Sequence, residues 1–211
     1  MKVRKPWAIG GLGAVLGGIA LAVTLVAGGG PSLTSTPTGS AHADELHHFE
    51  DVPTMLATSD LVVTAKVVKI GKGRSVGPDD GSKITFREVR LQVLSIQYDR
   101  TGAQPAELVV EEEGWDAKGR GYTLEGLSWS KVGDVGHFFL VRKRDAPDRH
   151  RLVNSQGRVL IKDSRLDGNQ RAHFNAEITG MSPATFEKLL TAAAADVRAG
   201  RIKPQRPGAA D

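Results

Sequence analysis

Residues Ile84 to Tyr98 read ITFREVRLQVLSIQY. The large apolar side chains in this run change parity twice: Ile84 and Phe86 are even, Val89, Leu91 and Val93 odd, Ile96 and Tyr98 even again. Side chains on a strand alternate strictly between its two faces, so each change implies a bulge or sharp bend, one near Arg87-Glu88 and one near Leu94-Ser95. A long strand bent at two points is what a small closed barrel needs.

Working outward, the segments on either side are also strand-like. Leu61, Val63, Ala65 and Val67 alternate with Val62, Thr64 and Lys66, a period of two that suits one buried face. Between this run and Ile84, GKGRSVGPDDGS (Gly71 to Ser82) reads as a long turn. A third strand is expected over Ala106 to Glu113 (AELVVEEE) and a fourth over Asp134 to Arg142 (DVGHFFLVR). The fourth is apolar on both faces at Phe138 to Val141, which predicts a central position. Arg151 to Lys162 supplies a fifth strand, or two short ones broken at Asn154-Ser155-Gln156-Gly157. A short helix is expected at Pro53 to Ala57, closed by Ser59-Asp60. A second should run over residues 183–199, with Ser182 as N-cap and Pro183 in the first turn. Phe186, Leu189, Leu190, Ala193 and Val197 fall on one stripe of that helix, and Gly200 ends it. The predicted fold is mainly β, a five- to six-stranded OB-like barrel over residues 47–200 with the C-terminal amphipathic helix packed against it. A disordered tail is expected at 201–211.

The order SDLVVTAKVVKI, ITFREVRLQVL, AELVVEEEG, VGDVGHFFLV and NSQGRVLI resembles small bacterial extracytoplasmic domains, often lipoproteins, with an OB-like barrel similar to tissue-inhibitor and netrin modules. The resemblance covers roughly residues 52–162 and rests on the strand order, a Val-Gly-Asp before the fourth strand and a Gln-Gly in the fifth. It implies an envelope location and a barrel. The lipid-bearing cysteine of the lipoprotein members is missing, since the chain has no cysteine. The inhibitors reach a protease metal through an N-terminal cysteine, so that activity is not implied here.

The beginning of the chain suggests how the domain is held. Trp7 to Ala27 carries no charge and follows Lys2, Arg4 and Lys5 over a basic start of residues 1–6. A helix of that length is roughly 31 Å long, close to the hydrocarbon thickness of a bilayer. The basic flank predicts a cytoplasmic N-terminus and an extracytoplasmic domain, single-pass, joined by a flexible Gly/Pro/Ser/Thr linker over residues 28–46. The alternative is a cleaved signal peptide and secretion; Ala41-His42-Ala43 fits a cleavage motif but lies far from the apolar run. Gly10, Ala14, Gly18 and Ala22, spaced four apart, form a smooth stripe on which two copies of the helix could form a weak homodimer. The formal charge is +4, but residues 1–43 hold three bases and no acid, leaving 25 Lys and Arg against 24 Asp and Glu in 44–211. So even a balance argues against a nucleic-acid partner.

Chemistry-bearing motifs are sparse. Gly126-Leu127-Ser128-Trp129-Ser130 approaches a nucleophile elbow but ends in serine rather than glycine. HExxH and GxxxxGK[ST] are both missing, and Gly71-Lys72-Gly73 lacks the remainder of a dinucleotide fingerprint. His47 and His48 stand among Asp44, Glu45, Glu50 and Asp51 without a defined ligand spacing, and a hydrophilic entry to the domain explains them equally well. His173 and Glu177 stand four apart in a turn-rich setting. His137 on the fourth strand reads as a core or rim residue, and Glu111-Glu112-Glu113 as a solvated edge strand. No cofactor or metal is expected. The connection from Gly114 to Lys131 has four glycines and holds Trp115, Tyr122 and Trp129 in a chain that is 5% aromatic. Aromatic side chains on a long loop can plug a barrel end or bind a partner. The leading expectation is a non-enzymatic, membrane-tethered module that binds a protein or other envelope component through Trp115, Tyr122 and Trp129. A secreted or anchored hydrolase whose site cannot be assembled from the sequence, which a pocket joining His137 or His150 to carboxylates would favour, and a purely structural envelope protein are the alternatives.

Overall fold

The computed structural model describes residues 36–41, 45, 47–78, 83–169 and 174–205. The apolar segment 7–27, with Gly10, Ala14, Gly18 and Ala22, lies outside them, as do His173 and residues 206–211. No helix among the described residues is long and apolar enough to cross a membrane.

The chain is mainly β, with a seven-stranded sheet and a C-terminal helix. Its backbone is a long antiparallel pair, β2 (Leu61–Val76) and β3 (Ile84–Asp99). The register shifts between Thr64 and Ala65, whose partners are Ser95 and Val93, so Leu94 is the extra residue of a bulge and stands 54% exposed. A second shift falls between Thr85 and Arg87, on the side facing β4 (Glu107–Trp115). These lie in the two neighbourhoods in which the apolar parity changes; a further shift skips Gln97, between Val62↔Tyr98 and Val63↔Ile96, so Ile96 packs on the interior core and Tyr98 on the outer one although they share a parity. Strand β2 runs on to Val76, past the turn expected to begin at Gly71. Gly73 makes this possible: a Cβ there would sit 2.9 Å from the Phe86 carbonyl oxygen across the pair.

Strand pairing closes a ring. β3 pairs with β4 antiparallel, and β4 with β7 (His150–Leu152) in parallel. β7 pairs with β6 (Val135–Arg142), and β6 returns to β2 through six pairs from Leu61↔Leu140 to Lys66↔Val135. β6 is central, as its two apolar faces predict. β8 (Arg158–Lys162) extends the sheet along β6, and β9 (Arg165–Asp167) pairs with β8. β7 and β8 are the two halves of the expected fifth strand, broken at Asn154–Gly157.

Two cores result from strict alternation along β2 and β6. Leu61, Val63, Ala65, Phe138 and Leu140 point into the ring, where they meet Leu91 and others. Val62 and Phe139 point outward and are covered by α1 (Val52–Thr58), α2 (Asn175–Ile178) and α3 (Pro183–Arg198). The Ser182 hydroxyl accepts from the Thr185 amide at 3.2 Å. The cap read from sequence is therefore formed. Phe186, Leu190 and Ala193 are buried against the sheet, with Leu189 and Val197 partly so.

Three expectations are corrected at the periphery. Within the linker 28–46, Gly39–Ala41 forms β1, paired in parallel with β5 (Tyr122–Leu124). Residues 201–205 are not a loose tail: Arg201 pairs with Asp196, and Gln205 donates from its amide to the Thr58 hydroxyl at 2.9 Å and from its side chain to the His48 carbonyl at 3.0 Å. The run Glu111–Glu113 lies on an edge past the single pair Val110↔His150, but it is not solvated: the Glu111 side chain is fully buried, and Glu112 is paired with Arg87 and Arg158.

Candidate functional site

The three consecutive glutamates of β4 take three different environments. Leu108 and Val110 face the ring interior, so Glu112 does too, while Glu111 projects outward; the register against β3 then breaks between Glu112 and Trp115, at Glu113. Glu112 is ion-paired with Arg87 of β3, and with Arg158 of β8 at 3.0 Å. It also accepts from the Ser130 amide and hydroxyl, both at 2.9 Å. The two guanidinium side chains are 5% and 2% exposed, and Trp129 lies 4.4 Å from that of Arg87. Burial lowers the Arg87 pKa, opposed by Glu112.

The Glu111 side chain is fully buried on the outside of the ring. Arg74 reaches it with Nε at 2.6 Å and Nη2 at 3.0 Å, Lys143 with Nζ at 2.7 Å, and Arg149 at 3.6 Å. Burial alone would raise its pKa; the bonds from Arg74 and Lys143 outweigh this and hold it below the ordinary carboxylate value.

Glu113 has no ion pair among the described residues. Its bond is from the Tyr122 hydroxyl, 2.9 Å away. Burial raises its pKa, with Glu111 and Glu112 adding to the effect, and Tyr122 and the more distant Lys143 only partly offset it. The Tyr122 phenol is in turn pushed up by burial and by Glu113.

Beside these carboxylates the ring is nearly open. β4 and β7 share one pair, Val110↔His150. Past it lies a cleft of about 400 Å³ walled by Leu124, Leu127, Trp129, Leu152 and Val153, with Glu111, Glu112, Glu113 and Arg151 also in its lining. Glu45 closes one end, accepting from the Ser155 amide at 2.6 Å and its hydroxyl at 2.9 Å. The wall at Asn154–Gln156 is rigid because Gln156 exchanges hydrogen bonds with the Phe49 amide (2.8 Å) and carbonyl (3.1 Å). The opposite wall is set by a tight turn in which Glu125 and Gly126 have φ of 49° and 71°. There the Leu127 amide returns to the Leu124 carbonyl at 2.9 Å. Positive φ at two successive residues is the backbone signature of such turns.

The aromatic residues of the Gly114–Lys131 connection do converge here, in different roles. Trp129 lines the cleft and donates from Nε1 to the Tyr122 carbonyl at 2.9 Å; Tyr122 holds Glu113. Trp115 is 0% exposed and meets Trp129 edge-on at 5.5 Å. It supports the wall through that aromatic contact and presents no surface to a partner. Leu124 and Leu127 were missed as site residues; the signal was that they are the two large aliphatic residues in that connection. Gly121 packs the loop down, since a Cβ there would lie 2.7 Å from the Trp129 ring.

The histidines are elsewhere. His137 is fully buried on the outer face of β6, with Nδ1 3.1 Å from the Thr64 hydroxyl and its ring 4.9 Å edge-on to Phe186 of α3. The Thr64 hydroxyl also accepts from Gln97 at 2.8 Å. Burial lowers the His137 pKa to about 4. His150 is lowered by burial and by Arg142. Neither is among the residues lining the cleft. His47 stacks on Phe49 at 5.6 Å. The described residues contain no group of three or more His, Asp or Glu placed to hold a metal ion. In Gly126–Ser130, the Ser128 carbonyl accepts from Arg158, which makes that segment part of the buried ionic frame. No protein-family model matches the chain, and no curated protein matches it.

Proposed function

We propose that this protein is a non-enzymatic, membrane-tethered extracytoplasmic binding module, an OB-like barrel whose cleft between β4 and β7 receives a partner protein or another envelope component. The observation that carries the reading is an apolar cleft of about 400 Å³ whose walls are fixed by buried hydrogen bonds and ion pairs. Preformed apolar hollows with a few placed polar groups are the usual form of binding sites. The parallel β4–β7 contact, in a ring ordered β2-β3-β4-β7-β6, supports the OB-like assignment and puts the opening where two loops converge. The tether is the apolar segment 7–27 behind its basic flank.

Two measurements test this. Leu127→Asp places a charge in the cleft wall, whereas Val132→Asp alters an already 64% exposed position. With both variants folded, envelope cross-linking should lose its product in the first and keep it in the second; retention in Leu127→Asp overturns the cleft as the binding site. Cell fractionation should find the chain in the membrane with Met1 intact. A mature start beyond Gly28 in the medium would replace the anchor with secretion.

A further inference from the structure

Among the described residues, Glu113 is the carboxylate of the β4 run with no ion pair, and it stands at an apolar cleft. Glu111 meets Arg74 and Lys143, and Glu112 meets Arg87 and Arg158, but the bond to Glu113 comes from a neutral phenol. Arg151, also at the cleft, feels the charges of Glu45 and Glu113, but its guanidinium is engaged with the Leu152 and Val153 carbonyls at 3.0 and 3.2 Å and makes no ion pair with Glu113. A half-buried carboxylate kept without a cation is costly unless a cation arrives with the ligand. Burial already holds this carboxyl above its ordinary pKa, and Tyr122 and the more distant Lys143 offset it only in part.

The backbone adds a second requirement. Between the pair Val110↔His150 and the bridge Trp115↔Gly121, the edge of β4 turned away from β3 has no ladder partner among the described residues. An open strand edge beside a pocket is the arrangement by which extended peptides add to a sheet, their backbone pairing with the edge and alternate side chains entering the pocket.

We propose that the cleft takes an extended polypeptide segment of the partner, with a Lys or Arg side chain set on Glu113 and its methylene stem between Leu124, Leu127 and Trp129. Long basic side chains suit this site because their stems are apolar while their ends are charged. Tyr122 is a positioning residue, holding the Glu113 carboxylate toward the cleft. The inference rests on the cleft being the binding site.

The test uses the full chain in detergent and three probes: a blocked hexapeptide alternating valine with a single central lysine, the same peptide with norleucine for lysine, and n-hexylamine. Calorimetry should show the lysine peptide binding. The norleucine change and the Glu113→Gln variant should each weaken it by roughly tenfold or more. Gln keeps an acceptor for Tyr122, and the norleucine comparison needs no variant at all, so a folding defect would not mask the result. Equal binding of the two peptides overturns the role of Glu113 while leaving the cleft as the site. n-Hexylamine binding as tightly as the lysine peptide overturns the polypeptide. If no probe binds while Leu127→Asp still abolishes envelope cross-linking, this inference fails and the binding module stands.

Discussion

The ring has two joints that contrast in every respect. At β2–β6, six consecutive pairs are zipped, with Val63 and Phe138 facing one core and Val62 and Phe139 the other. At β4–β7 there is a single pair, followed by carboxylates and a cleft. Where both faces of a joint are apolar, burial and ladder hydrogen bonds reinforce each other and the joint closes. Where one strand brings three acids, the ladder stops, and ion pairs across the gap take over the cohesion. Glu112 ties β3 to β8, and Glu111 ties Arg74 of β2 to Lys143 just beyond β6. The open joint is therefore braced by charge, which leaves its apolar surface free for something else.

The sharpest way to break this contrast is to cut the brace. Glu112→Gln leaves two guanidiniums buried with one neutral amide between them, and should cost about 4 kcal/mol in urea unfolding, the scale for removing one partner from a buried pair. Replacing Arg87, Glu112 and Arg158 together by Met, Leu and Met should recover most of that loss, because it removes the orphaned charges as well. A cost under about 1 kcal/mol for the single change would mean that water reaches the arginines and that the brace is dispensable.

At the closed joint the loss should be smaller and of a different kind. Leu140 pairs with both Leu61 and Leu152 and is fully buried. Leu140→Ala should therefore cost about 3 kcal/mol through lost transfer energy and a cavity. Amide exchange separates the joints without mutation: Val63 and Phe139 should exchange only on global unfolding, and Glu113 and Gly114 through local opening. Equal protection would contradict the open-joint description.

The closed joint also carries a pH dependence. His137 and Thr64 are opposite one another in the β2–β6 ladder, under Phe186. The folded pKa of about 4 lies below the ordinary 6.5, so the unfolded chain binds a proton more readily than the folded one. Stability from this group is complete above the unfolded value and falls as the pH drops toward the folded one, by about 2 kcal/mol at about pH 5 relative to about pH 7.5. The difference between wild type and His137→Leu should shrink by that amount over this range; a constant difference would show the imidazole exposed.

How much of this was legible in the sequence follows the same division. The closed joint is built by local rules: a period-two apolar run marked β2, a run apolar on both faces marked β6, the parity change at Leu94-Ser95 marked a real bulge, and Ser182-Pro183 marked the start of α3. The open joint is built by distance. Arg74, Lys143 and Arg149 come to Glu111, and Arg87 and Arg158 to Glu112, only after the ring closes, so a run of three acids read locally looked like a solvated edge. Trp129 of the Gly114–Lys131 connection does line the cleft, but burial of Trp115 and the turn carrying Leu124 and Leu127 depend on packing that no local pattern shows. β1 was hidden because three small residues pair with an equally short β5 and carry no periodicity.

The smallest effects should come from the pair that has no brace. Because the Glu113 pKa is raised on folding, the stability linked to it is present below its unfolded value and lost as pH rises through the folded one, so at neutral pH the ionised carboxylate is a burden. Tyr122→Phe removes the donor that eases it, the phenol hydroxyl bonded to Glu113. That change should cost about 1 kcal/mol. Glu113→Gln removes the burden instead and should leave the unliganded protein unchanged or more stable by a few tenths of a kcal/mol. In the double variant the Tyr122→Phe cost should fall, since a neutral amide needs the phenol less than a carboxylate does; thermal melts of the four proteins give the coupling directly. If Glu113→Gln were as damaging as Glu112→Gln, Glu113 would be a third brace, and the open joint would have no carboxylate left to offer a ligand.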